Sequence, residues 1–328
     1  MKIEYKYKNM KGYNIYFLGE RNVVKMPDYK EFIDDIAINN ETSKYELDYI
    51  YYSVIQSKSR RVPIISASNI YRTKFGKVDR SGNFKKDNRL NDGEQLTSND
   101  YKRFNTIKAA AIEKGHMTKR EDVQWDLKGV EEDAQKAAIS TFFYPNAAPQ
   151  HDSLNNGPWK YLENSVIIKG RVPNPAKVSV FTGPVLDNLD PEFKVKLHDG
   201  TIFKIPILFW KVIYYLKDDS KLYKAGFLMG QINPLKKDDL INEIGFREFG
   251  VEEKISSLKP FLEFKEDENY QVPVSLIEEL TKLKFQDAID CHENVKPTIL
   301  KLEEVQIRSF EDTLLDQEPT YEIDGLLV

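Results

Sequence analysis

The stretch from Ala111 to Glu163 constrains this chain more than any other. It opens on Glu113-Lys114-Gly115-His116-Met117. Some thirty residues on, Asn146-Ala147-Ala148-Pro149-Gln150 leads into Leu154-Asn155-Asn156-Gly157-Pro158-Trp159-Lys160-Tyr161-Leu162-Glu163. Proline is tolerated in the first turn of a helix and not beyond it, so Pro158 predicts a helix starting near residues 155–157. On one such helix Asn155 and Glu163 would be separated by about 80° and would look to the same side. Between the two motifs, Glu131 to Ser140 has strong helix formers with acids in the first turn, where the helix dipole favours them. Thr141-Phe142-Phe143-Tyr144 is a compact β-prone run ending at Pro145.

Elsewhere the pattern favours strands. Leu47 to Ile55 reads as one strand, and Val62 to Ile70 as its antiparallel partner, with a continuous apolar character that suits a central position. Ala176–Val185, Lys204–Leu216 and Tyr223–Gln231 are three more. Pro273 to Leu283 is an amphipathic helix with Val274, Ile277, Leu280 and Thr281 on one face. Trp125, Trp159 and Trp210 read as core residues. Arg72 to Asp100 is charged and reads as a long surface loop; Tyr101 to Ala111 reads as a short helix or strand. Strands and helices mix without strict alternation, which argues for an α+β domain with a mostly antiparallel sheet.

Cys291 is the single cysteine, which excludes an intrachain disulfide and a thiolate zinc cluster. No apolar run approaches the roughly 20 residues of a membrane span, and the first residues alternate charged and apolar groups without a secretory core. A cytoplasmic location is the expectation. The net charge of −4 excludes a molecule that is basic as a whole. Its distribution is uneven: Arg72 to Arg89 holds seven Lys or Arg against two Asp, and Glu303 to Asp324 holds eight acids against Arg308. A local basic segment can meet phosphates even on a mildly acidic protein.

There are four histidines, His116, His151, His198 and His292, and no two lie at metal-ligand spacing on one element. No Gly-x-Ser-x-Gly elbow, Walker loop or Gly-x-Gly-x-x-Gly is present. What remains is enough to cut a phosphodiester. Neutral imidazole suits the removal of a proton from water near pH 7. A hard divalent ion, held by one or two protein oxygens, polarises the phosphate. A cation neutralises the charge that develops on phosphate oxygens. His116, Asn155, Glu163 and a choice of Lys114, Arg120 or Arg80 supply these types.

The combination resembles the DNA/RNA non-specific endonucleases of the ββα-metal type, the family of Serratia nuclease and endonuclease G. Glu113-Lys114-Gly115-His116 stands for the family's Asp-Arg-Gly-His. Asn146, Pro149-Gln150, Leu154-Asn155, Trp159 and Leu162-Glu163 follow in order and at family-like spacing. The likeness covers roughly residues 45 to 290. It implies a ββα-metal nuclease fold with a central, mostly antiparallel sheet flanked by helices. It implies His116 as general base, Asn155 as direct ligand of Mg²⁺ or Mn²⁺, Glu163 positioning a metal-bound water, and Asn146 hydrogen-bonding within the site. Lys114 stands in the catalytic motif, with Arg80 and Arg120 as phosphate contacts. DNA and RNA are the implied substrates, with 5′-phosphate and 3′-hydroxyl products, and the likeness allows a homodimer. The sequence departs from the pattern at Glu113-Lys114 and at Ile167, where the family often has arginine; lysine keeps the charge but loses the bidentate fork.

The expected organisation is an N-terminal extension (1–44), a nuclease domain (45–290) and an acidic C-terminal tail (291–328) without a core-forming pattern. An alternative on the same fold is a catalytically impaired nucleic-acid-binding protein, motivated by the Glu-Lys replacement.

Overall fold

The computed structural model describes residues 10–74, 76, 78, 82–125, 131–162, 177–242, 268–305, 320–324 and 326–327. In chain order, β1 (Glu46–Asp48) and β2 (Tyr52–Gln56) form an antiparallel hairpin where one strand was expected. Tyr51 at φ 68° turns the chain back, and the Tyr49 N–H donates to the Tyr52 carbonyl at 2.8 Å. β3 (Pro63–Tyr71) pairs with β2 and lies inside the sheet, as its apolar run predicts.

Next come α1 (Ser98–Phe104), β4 (Ile112–His116), α2 (Glu131–Ser140) and β5 (Ala147–His151). Two short helices follow, α3 (Asp152–Asn155) and α4 (Pro158–Leu162). Then β6 (Lys177–Pro184), β7 (Leu208–Leu216), β8 (Leu222–Gly230), α5 (Ile232–Lys237), β9 (Asn269–Val272) and α6 (Val274–Thr281) complete the central body. β10 (Ile289–Asp290), β11 (Thr298–Val305) and β12 (Thr320–Asp324) end the chain.

Among the described residues, ten strands form one sheet in the order β1-β2-β3-β6-β7-β8-β9-β11-β12, with β10 also on β8. Its pairings are antiparallel except for β10 with β8. The fold is therefore α+β with a mostly antiparallel sheet, and β4 with β5 stands apart as a two-stranded ribbon. Both sheet faces are covered. Along β7, Phe209, Ile213 and Tyr215 enter the core cluster that contains Leu154, Trp159 and Leu162. Trp210, Val212 and Tyr214 enter a second cluster with Val24, Val274 and Ile277. This is the period-two alternation of a strand buried on both sides. Trp125, Trp159 and Trp210 are all buried, as expected.

Described residues of both the N-terminal extension and the acidic tail join this body. The Tyr13 N–H donates to Ser53 Oγ at 2.8 Å, and Val24 is fully buried. The acidic tail, which has no core-forming pattern in the sequence, contributes β11 and β12 to the sheet edge through backbone pairing, to which hydropathy is blind. The charged stretch 72–100 is also more than a surface loop. Asp87 and Arg89 are buried there as a bidentate pair (Nε to Oδ1 3.0 Å, Nη2 to Oδ2 2.7 Å), and the Tyr49 hydroxyl donates to Asp87 at 2.6 Å. No helix among the described residues is long and apolar enough to cross a membrane.

Candidate active site

The site is built on the β4–β5 ribbon. Its register pairs Ile112 with His151, Glu113 with Gln150, Lys114 with Pro149, Gly115 with Ala148 and His116 with Ala147. The β-prone run at Thr141–Tyr144 was the expected strand. The strand falls instead at Ala147–His151, because there the backbone finds a partner in β4 and a ladder outweighs local propensity. Alternation puts Lys114 and His116 on one face of β4, and Glu113 and Gly115 on the other.

Gly115 carries a packing demand. A methyl group at its position would collide with the carboxamide of Gln150, which is fully buried against it. Gly115→Ala is expected to destabilise the fold by about 1–3 kcal/mol, visible as a lowered melting temperature; an unchanged value would show that Gln150 can move aside.

On the other face, the His116 ring packs against Phe84 (centroids 4.7 Å) and edge-on to Phe142 (5.0 Å). The Lys114 ammonium lies over Tyr101 at 5.1 Å and near Phe84 at 5.9 Å. Burial holds the Lys114 pKa below its ordinary value, and the Glu113 carboxylate opposes that shift.

Asn155 comes to the ribbon from α3. Its Nδ2 donates to Glu113 Oε2 at 2.5 Å, and Asn156 Nδ2 donates to the same oxygen at 3.0 Å. With Nδ2 committed to Glu113, the Asn155 amide has Oδ1 as its remaining polar atom. The start of α3 is fixed by His151, whose Nδ1 accepts from the Ser153 N–H at 3.2 Å and whose Nε2 lies 2.9 Å from Asp238 Oδ2. The single helix expected to carry both Asn155 and Glu163 is broken: α3 ends at Asn155, and α4 starts at Pro158 after the Asn156-Gly157 turn. The shared-side argument for the two residues therefore lapses. Glu163, like Arg80 and Ile167, lies outside the described residues.

Asn146 is buried with its amide fully engaged. Oδ1 accepts from the Thr118 N–H (2.9 Å) and Ser66 Oγ (3.0 Å), and Nδ2 donates to the Thr118 (2.8 Å) and Thr141 (3.1 Å) carbonyls. It locks the chain two residues past His116 and is a positioning residue in this geometry. Arg120, expected as a phosphate contact, turns inward. Its Nη2 donates to the Val78 carbonyl at 3.0 Å and its Nη1 to Glu121 at 3.2 Å, so it braces the neighbouring loop. The sequence reading placed Glu113 and Gln150 in the motifs without a role of their own, and gave His151 no place in the site. The role of Glu113 depends on Asn155 and Asn156, more than forty residues on, which its position three residues before His116 does not announce.

Among the described residues no group of three His, Cys, Asp or Glu is placed to hold a metal. The donor on offer is the Asn155 amide oxygen beside a carboxylate, a hard-oxygen set that suits a cation keeping most of its own water.

The chain is 32% identical over 180 residues to the uncharacterized protein y4fB of Sinorhizobium fredii, a match covering 54% of this chain and 23% of that protein. The chain thus spans about a quarter of that relative's length. Among solved structures it is similar to the crystal structure of an EndoG/EndoGI complex, at 21% identity and a TM-score of 0.48, covering 77% of this chain and 87% of that one. The family profile described as DNA/RNA non-specific endonuclease matches residues 36–291, most of the chain and all of the ribbon with its two helices, and the chain belongs to that family.

Proposed function

We propose that this chain is a divalent-metal-dependent, sequence-tolerant endonuclease that hydrolyses phosphodiester bonds of DNA and RNA. The observation that carries the reading is the ribbon and its helices. His116 ends β4, and Asn155 is tied to Glu113 of the same strand with its amide oxygen left over. A bound Mg²⁺ or Mn²⁺ would supply Lewis-acid polarisation of the phosphate and charge stabilisation of the departing oxygen.

The chain's own residues do the rest. His116 accepts the proton of the attacking water as general base. Asn155 offers Oδ1 to the cation, and Glu113 holds that amide in one orientation. Lys114, on the His116 face, sets a cation beside the phosphate. Asn146 fixes the strand exit. Glu163 and Arg80 keep the roles that family likeness implies, as a water-positioning carboxylate and a phosphate contact. Contacts to phosphate rather than to base edges account for tolerance of sequence and sugar. A homodimer is proposed on family likeness alone.

Plasmid nicking and RNA digestion with Mg²⁺ or Mn²⁺, each repeated with EDTA, test the reading. Cleavage that EDTA abolishes is expected. Retention of DNA without cleavage would replace the enzyme with a nucleic-acid-binding protein on the same fold.

A further inference from the structure

Two aromatic side chains flank His116 and keep part of their surface accessible. Phe84 and Phe142 are each partly buried, whereas the adjacent Phe143 and Tyr144 are in the core. Their ring centroids are 5.3 Å apart at 68°, and each contacts the imidazole. Phe84 also lies 5.9 Å from Lys114 Nζ, so the pair sits beside both the proposed base and its neighbouring cation.

Backbone bonds join the two segments that carry the pair. The Lys85 N–H donates to the Phe142 carbonyl (2.9 Å) and the Tyr144 N–H to the Lys85 carbonyl (3.1 Å), a parallel bridge that fixes one segment against the other. Behind Phe84 the rings continue into the core: Tyr144 is stacked on it at 5.7 Å, and Tyr101 on Tyr144 at 6.1 Å. Gly82 makes room for the wall, since a Cβ there would lie 2.5 Å from Phe142 ring carbons.

We propose that Phe84 and Phe142 form a stacking wall for one unpaired nucleobase beside the scissile phosphate, which makes single-stranded or locally unpaired nucleic acid the preferred substrate. This rests on the endonuclease reading of the same site. Every base has a π-face, so stacking grips the substrate without reading its sequence. In a duplex those faces are covered by neighbouring bases, and exposing one costs unstacking energy.

The test uses an end-labelled single-stranded oligodeoxynucleotide with one nucleotide replaced by an abasic tetrahydrofuran residue, cut by the full chain with Mg²⁺. In the wild type, cleavage at a linkage adjoining the abasic residue is expected to fall by about fivefold or more relative to the same linkage with a base. Phe84→Leu and Phe142→Leu should lose that discrimination, while Phe84→Trp, which keeps a stacking face, should retain it. Equal cleavage with and without the base in the wild type overturns the proposal, as does unchanged discrimination in both leucine variants. Absence of cleavage at every linkage overturns the endonuclease reading, and this proposal with it.

Discussion

Replacing His116 with alanine is expected to lower phosphodiester cleavage by about 10²–10⁴-fold, the usual contribution of a positioned general base, while the fold survives. The side chain sits at the last residue of β4, and its ring contacts run to the half-buried Phe84 and Phe142. The ribbon's register is held by backbone pairing from Ile112 to His116 and by Asn146, neither of which needs the imidazole. The loss should appear in kcat at saturating metal, because His116 is not proposed to bind the cation. Plasmid nicking gives the rate, and thermal unfolding shows that the protein is intact. Digestion at the wild-type rate would remove His116 from the mechanism.

The parts of the site that were legible in the sequence are those whose chemistry is local. His116 after a glycine, Pro158 opening a helix and the acidic start of α2 each follow from one residue type at one position. The apolar runs that became β3, β6, β7 and β8 were legible because both faces of the sheet are covered. What was not legible depends on partners distant in sequence. Ala147–His151 has little β propensity, and its strand exists because β4 supplies the ladder. β11 and the edge strand β12 are likewise specified by pairing. Arg120 read as a phosphate contact because nothing local announces the Val78 carbonyl 42 residues before it. Phe142 and Phe143 look alike in sequence; the Lys85 bridge decides which one faces the site.

The Glu113-Lys114 departure also changes meaning. In sequence it was the motive for an impaired binder. In the fold Glu113 is the residue on which Asn155 and Asn156 both converge, and its side chain, one methylene longer than aspartate, reaches both amides. In this fold the glutamate is an amide clamp.

That clamp makes the second large effect. Without the Glu113 carboxylate the Asn155 amide has no partner for Nδ2 and is free to turn, so Oδ1 is no longer fixed as the atom presented to a cation. Glu113→Ala is expected to weaken metal binding by about 10–100-fold, as loss of a group that orients a ligand does elsewhere. The Mg²⁺ or Mn²⁺ concentration for half-maximal cleavage should rise by that factor, and much of the rate should return at saturating metal. Glu113→Gln keeps an acceptor oxygen but loses the charge, and charged acceptors hold an N–H about twice as strongly as neutral ones; its midpoint should lie between those of the wild type and the alanine variant. Direct titration of Mn²⁺ by electron paramagnetic resonance reads binding apart from turnover. The contrast with His116→Ala is the decisive part: one variant shifts the metal midpoint, and the other lowers the plateau. A Glu113→Ala protein with an unshifted midpoint would mean that Asn155 is not the ligand, or that its orientation is fixed by something other than Glu113.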